Sequence, residues 1–178
     1  MFDLIAEELR RLNFVQYEIS NFSIPGFESR HNKLYWEDEP YLGLGLSAHS
    51  YSKHSRWGTR FWNINSIGDY QNQIASSKGK SFSAPDEHLP EAQFEELEKH
   101  QALTDFCHTS TRLMRGLNLD TLEAKFSTDT KQIVQTILSS LRDKKLVGFS
   151  DNHWSLTPEG IVLSNQVFRE LTFLKEDL

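Results

Sequence analysis

Seven consecutive residues have side chains suited to binding a metalloporphyrin. Residues 30–36 read RHNKLYW and bring together an imidazole, a carboxamide, two cations and two large aromatic rings. An imidazole can be an axial ligand of haem iron, a carboxamide can orient such a ligand, flat rings can lie against the macrocycle, and cations can meet propionates. The candidate haem-binding residues are His31 as the iron ligand, Asn32, Tyr35 and Trp36, with Arg30 and Lys33 as further contacts.

The same residue types also suit an ordinary surface turn. In that alternative, Tyr35 and Trp36 fill the core while His31 makes a routine hydrogen bond. Histidine and tryptophan are common near one another, so residue types alone favour the turn over the haem site.

A glycine-rich stretch follows at residues 41–51, YLGLGLSAHSY. Its alternation predicts a strand whose leucines share one face while the glycines and His49 share the other. Gly43-x-Gly45-x-x-Ala48 matches the letters of a dinucleotide fingerprint, but no helix that could hold a pyrophosphate is predicted after it. We therefore expect close backbone approach at the glycines, with His49 as a further candidate for the haem site.

Metal-ligand types also occur as two pairs, His49 with His54 and Cys107 with His108. Neither pair belongs to a closed four-ligand set, so a structural zinc site is not predicted. Cys107 is the only cysteine, which excludes an internal disulfide and fits a reduced compartment. We expect Cys107 to be a small buried helix residue.

Apolar periodicity predicts the elements that position these residues. Before residue 76 the pattern indicates an amphipathic helix at 2–12, a strand at 14–20, a turn around Pro25-Gly26 and a short helix at 66–74. After residue 90 it indicates helices at 91–116 (with an optional break near His100), at 119–126 and at 129–144. Two strands joined by Asp151-Asn152 and a last helix at 158–174 follow. Residues 76–90 are rich in Ser, Gly, Lys and Pro, which is typical of a linker.

Charge and hydropathy limit the possible partners. The net charge is −6, with acidic residues in excess on both sides of residue 90, which argues against nucleic-acid binding. No apolar run approaches the roughly 18 to 20 residues of a membrane span, and the N-terminus does not read as a signal peptide. We expect a cytoplasmic protein without a membrane span.

One long segment resembles a known family. The resemblance lies in two segments, YEISNFSIPGFESRHNKLYW and the following YLGLGLSAHSY, which are similar to HemW-type proteins. These proteins are the haem-chaperone branch of the oxygen-independent coproporphyrinogen III oxidase-like radical-SAM family. In that family an H-N-x-x-Y-W motif is associated with haem binding, and the matching positions are His31, Asn32, Tyr35 and Trp36. Ile24 and Ser47 depart from the usual family pattern.

The resemblance implies more than this sequence contains. The family's C-x-x-x-C-x-x-C motif is absent, so the four-iron, four-sulfur cluster and S-adenosylmethionine are expected only in an intact protein with the N-terminal radical-SAM barrel. This chain alone is then not expected to be catalytic. The implied partner is a haem-requiring acceptor protein. Two alternatives stay open: part of a coproporphyrinogen III oxidase of porphyrin biosynthesis, and a DNA-binding winged helix with recognition helix 129–145 and wing 150–154.

The expected fold is α+β. Residues 1–75 are interpreted as the terminal helix and strand of a radical-SAM barrel with antiparallel strands and the haem motif, residues 76–90 as a linker, and residues 91–178 as a winged-helix-like domain.

Overall fold

The computed structural model describes residues 2–76 and 93–178, a mixed α/β chain with antiparallel sheets. The helices are α1 Phe2–Arg11, α2 Arg30–Trp36, α3 Ile67–Ser76, α4 Lys99–Arg112, α5 Leu119–Lys125, α6 Thr128–Asp143, α7 Pro158–Val162 and α8 Ser164–Glu170, followed by a 3-10 turn at Lys175–Asp177. The strands are β1 Val15–Glu18, β2 Asn21–Ser23, β3 His49–Ser52, β4 Thr59–Trp62, β5 Phe94–Glu96, β6 Leu117–Asn118, β7 Val147–Ser150 and β8 His153–Leu156. The expectation of an α+β chain with antiparallel sheets is confirmed.

The chain forms two compact units that do not follow the predicted division at residue 75. The first unit combines Met1–Asp38 with Leu103–Leu178, and the second is Glu39–Ala102. The linker predicted at 76–90 lies outside the described residues apart from Ser76. The first 38 residues belong with the C-terminal segment because β1 is hydrogen-bonded to the chain that follows α4.

The N-terminal part of the first unit is a helix followed by an antiparallel strand pair. On the exposed side of α1, Arg11 pairs with Glu7 and Glu8, both at 2.8 Å. The helix ends before Asn13, whose φ of 62° lies in the left-handed region. β1 then pairs with β2 over a short irregular register. The predicted helix and strand are both present, with shorter bounds.

The C-terminal part of the first unit packs helices on a three-stranded sheet of order β6-β8-β7. Its core consists of fully buried aliphatic side chains from both, among them Leu103, Leu117, Leu122, Val134, Leu138, Leu141 and Val167. β7 and β8 are joined through Asp151 and Asn152, which have φ values of 48° and 62°. Two left-handed residues match the twist of a tight hairpin, so the predicted Asp-Asn turn is confirmed.

Two predicted helices are shorter in the structure. The segment predicted as a helix from residue 91 contains β5 before α4 begins at Lys99. The last predicted helix is divided at Leu163, where φ −102° and ψ 23° interrupt the helix between α7 and α8. The sequence indicated a break near His100, close to the start of α4 at Lys99, but it indicated none at Leu163.

The second unit contains the antiparallel sheet β3-β4-β5 and helix α3. The strand predicted from residue 41 was wrong for most of its length, because only the isolated Tyr41–Tyr51 bridge precedes β3. Gly45 at φ 100° and Ser47 at φ 54° are incompatible with extended backbone, and the predicted apolar face is exposed, with Leu44 81% accessible. Close approach is confirmed at Gly43, where a Cβ would overlap the carbonyl oxygen of His49.

Over the two described ranges, none of the helices has both the length and the apolar character required to cross a bilayer.

Candidate functional site

The haem-motif residues form a short helix rather than a turn. Ser29 caps α2 by accepting a hydrogen bond from the backbone N–H of Asn32 at 3.2 Å. The helix ends at Glu37, and Asp38 at φ 56° turns the chain away. Since successive helical residues are rotated by about 100°, His31 and Tyr35 share one face and Asn32 and Trp36 share another.

The face carrying His31 and Tyr35 is accessible. His31 is exposed and Tyr35 is half-buried. The Tyr35 hydroxyl and Nε2 of His31 share a hydrogen bond of 3.1 Å, and the two rings meet edge to face with centroids 5.0 Å apart. One helical turn therefore presents an imidazole and a phenol side by side to an external ligand.

The neighbouring face attaches α2 to the rest of the first unit. The amide of Asn32 donates a hydrogen bond to the Tyr17 hydroxyl at 3.3 Å. The half-buried ring of Trp36 lies under the guanidinium of Arg112, whose Cζ is 4.5 Å from the ring centroid. Asn32 and Trp36 thus anchor the helix, while His31 and Tyr35 remain on the accessible side.

The candidate cations lie elsewhere on α2. Nζ of Lys33 is 4.0 Å from Glu37, which also pairs with Arg115 at 3.2 Å. These three side chains line a cleft of about 230 Å³ together with Tyr17. Arg30 is exposed at the start of the helix. A negatively charged group would meet mixed charges in this cleft, because Glu37 sits between the two cations.

His49 lies in the second unit, whereas α2 belongs to the first. It is exposed on β3, and its ring is 5.7 Å from that of Trp62 with an interplanar angle of 32°. A cleft of the second unit includes His49 with Ser47, Asn63 and Gln93. His49 and His31 thus belong to different compact units.

Cys107 and His108 are structural in position. Cys107 is fully buried, and this burial raises the pKa of its thiol, so the thiolate needed for metal binding is disfavoured. The ring of His108 meets the Phe168 carbonyl oxygen at 2.8 Å. Across the two ranges that the structure covers, three or more His, Cys, Asp or Glu side chains nowhere gather as a possible metal site.

Three residues that support α2 were missed by sequence reasoning. Tyr17 and Glu18 lie inside the YEISNF stretch that carries the family resemblance. The sequence therefore marked these two residues, but it did not indicate which residues they contact. Arg112 carried no signal of its own, since its partners Glu18 and Trp36 are far away in the sequence.

Residues 97–163 match the HemN C-terminal domain family. The chain is 30% identical over 168 residues to the heme chaperone HemW of Bacillus subtilis, covering 94% of this chain and 41% of that protein. It is 28% identical over 178 residues to HemW of Lactococcus lactis, covering 100% of this chain and 42% of the relative. The chain is thus similar to HemW proteins over nearly its whole length, and its C-terminal part matches the HemN C-terminal domain. It spans about two fifths of the length of these HemW relatives.

A solved structure extends the likeness to the fold. Coproporphyrinogen III oxidase (HemN) from Escherichia coli, described as a radical SAM enzyme, superposes with a TM-score of 0.62 at 13% identity, over 96% of this chain and 39% of that one. At such low identity the likeness shows the HemN-like fold alone.

Proposed function

We propose that this chain is the haem-binding C-terminal portion of a HemW-type haem chaperone, with His31 as the iron ligand. The observation that carries the proposal is α2 itself, which presents the imidazole of His31 on an accessible face. An exposed neutral imidazole is a normal axial ligand of haem, and the half-buried ring of Tyr35 beside it offers an aromatic surface. The similarity to HemW proteins over nearly the whole chain supports haem as the ligand.

The residues of the motif then have separate tasks. His31 contacts the iron, and Tyr35 lies beside the macrocycle. Asn32 and Trp36 hold the helix, and Trp36, half-buried, stays a candidate contact of the macrocycle. Arg30 and Lys33 are candidate partners of the propionates, and His49 stays a candidate for a further contact.

The remaining machinery belongs to the rest of such a protein. The single buried cysteine does not fit a four-iron, four-sulfur cluster, which needs several thiolates. We therefore assign the cluster and S-adenosylmethionine to an N-terminal radical-SAM barrel, of which the α1 and β1 region would be the terminal helix and strand. The helices around the sheet β6-β8-β7 form the proposed winged-helix-like domain. Haem would be delivered in the cytoplasm to a haem-requiring acceptor.

The alternative of a coproporphyrinogen oxidase is weaker. The relatives that match most of this chain are HemW proteins, whereas the likeness to the oxidase is one of fold.

A haem titration of the chain tests the proposal. The unmodified chain should develop a Soret band, and His31→Ala should shift or abolish that band and weaken binding about tenfold or more, because an axial ligand is lost. His54→Ala is the matched control, since His54 is an exposed histidine of the second unit. His153 is a poorer control, because it lines a cleft shared with Trp36.

The same pair of substitutions should be compared in a protein that also carries the N-terminal barrel. If His31→Ala binds haem there with unchanged spectrum and affinity, His31 is a structural histidine and the proposal is wrong.

A further inference from the structure

We infer that Arg112 is a positioning residue for haem binding: its guanidinium fixes Trp36 and thereby sets the direction in which α2 presents His31. The inference rests on the proposed haem site and extends it to a residue of the C-terminal domain, within the 97–163 match. Arg112 is the last residue of α4 and is partly exposed, with 27% of its side chain accessible.

The buried carboxylate of Glu18 holds the guanidinium of Arg112 in place. The Glu18 side chain is fully buried at the end of β1, and a buried carboxylate requires charged or hydrogen-bonding partners. It accepts hydrogen bonds from the backbone N–H of Ser20 at 2.8 Å and from the Arg112 guanidinium at 3.0 Å, and also from the amide of Asn21. Because leaving Glu18 without its cation would be costly, this carboxylate ties the guanidinium to one place.

The backbone restricts Arg112 further. The N–H of Ile19 donates to the carbonyl of Arg112 at 3.1 Å, and the N–H of Met114 donates to the carbonyl of Tyr17 at 3.1 Å. The end of α4 is thereby paired with the end of β1, and Leu113 forms a bridge with Glu18. The backbone carbonyl and the guanidinium of Arg112 are therefore both held at the end of β1, by Ile19 and Glu18 respectively.

The guanidinium held in this way contacts Trp36. The guanidinium lies over its indole ring at 4.5 Å, a distance typical of cation–π stacking. β1 contributes a second anchor through Tyr17 and Asn32. Since α2 has seven residues and buries none of them completely, its orientation depends on contacts with the rest of the first unit, and these are two of them.

The planar shape of the guanidinium matters as much as its charge. Arginine can bind a carboxylate and stack on an aromatic ring at once, whereas the ammonium of lysine is a compact, strongly hydrated charge. Arg112→Lys should therefore keep Glu18 neutralised and the fold intact while losing most of the contact with Trp36.

Hydrogen exchange and haem titration of the full chain test the inference. In Arg112→Lys, peptides covering residues 30–37 should exchange about fivefold to tenfold faster than in the unmodified chain, while the core of α6 is unchanged. The Kd for haem should rise about threefold or more, with the Soret maximum unmoved because His31 is still the ligand. Arg115→Lys is the matched control, since Arg115 pairs with Glu37 at the C-cap of α2 but is 60% accessible, and it should resemble the unmodified chain.

Unchanged exchange of residues 30–37 in Arg112→Lys would overturn the inference, and so would faster exchange with unchanged haem affinity. If His31→Ala leaves haem binding intact, the proposed haem site fails instead, and the exchange of α2 still decides whether Arg112 holds this helix.

Discussion

At the scale of single residues, the hydrogen bond between Tyr35 and His31 bears directly on the proposed haem binding. The Tyr35 hydroxyl meets Nε2 of His31, the ring nitrogen that lies farther from the backbone and is easier for an iron atom to reach. In the absence of haem the phenol holds the imidazole in place. Ligation through Nε2 requires this hydrogen bond to break, so the bond both orders His31 and competes with the iron.

Tyr35→Phe separates these two effects, because it removes the hydroxyl and keeps the ring. A hydrogen bond of this kind contributes about 0.5 to 1.5 kcal/mol, so its loss should tighten haem binding by roughly twofold to tenfold. Haem titration by absorbance measures the change, with Tyr70→Phe in the second unit as a control. Weaker binding by Tyr35→Phe would indicate that the hydroxyl itself helps to hold the haem.

At the scale of elements, the sequence predicts best those that carry their own signals. The strands on either side of Asp151 were located because their turn chemistry and β-rich composition are local. Helix α2 was not predicted, since seven residues contain too few turns for periodicity and the contacts that stabilise it come from Tyr17 and Arg112. The site residues could be named from the motif, but not their division into anchors and presenting groups.

The alternation of apolar residues gave a wrong strand prediction near Gly45, where the backbone conformation is not extended. The leucines near Gly45 alternate as in a strand, but left-handed φ values at Gly45 and Ser47 break the extended chain and leave these leucines exposed. The sequence does not distinguish a glycine that allows another backbone segment to approach closely from a glycine that adopts a positive φ.

Gly116 between α4 and β6 offers a test of such a conformational requirement. It has φ 80°, and an added Cβ would overlap the carbonyl oxygen of Trp154. Gly116→Ala should therefore lower the free energy of unfolding by about 2 kcal/mol or more, as measured by urea denaturation. Gly148→Ala in β7 should change it by less than about 0.5 kcal/mol, because no atom lies within 4 Å of its added Cβ. Equal effects of the two substitutions would contradict this account.

At the scale of the whole molecule, the arrangement of charge argues against DNA as a partner. On α6, the candidate recognition helix, Lys131 is 2.9 Å from Asp120 and 2.7 Å from Glu123. Hydrogen bonds from Lys131 lower the pKa of both carboxyl groups, so they stay ionised and offset this cation at neutral pH. Lys144 lies 3.7 Å from Glu170. Phosphate binding depends on uncompensated cations, which this surface lacks at these positions.

We therefore expect no micromolar affinity for random-sequence duplex DNA at low salt, where electrostatic attraction is strongest. Fluorescence anisotropy with a labelled duplex measures this. Tight binding that disappears as salt is added would instead support the alternative of a DNA-binding winged helix.

The division of the first unit into two separated stretches of sequence has a consequence for biosynthesis. A ribosome makes α2 and its histidine before residues 39–102, whereas Arg112 and Leu113, the bridge partner of Glu18, emerge only after them. Until then the nascent helix lacks the anchor that Arg112 provides to Trp36, and a seven-residue peptide is not stably helical alone. Under the proposed function, an emerging chain would expose His31 without the geometry to keep haem, and the proposed haem site would be complete only once Arg112 had been made.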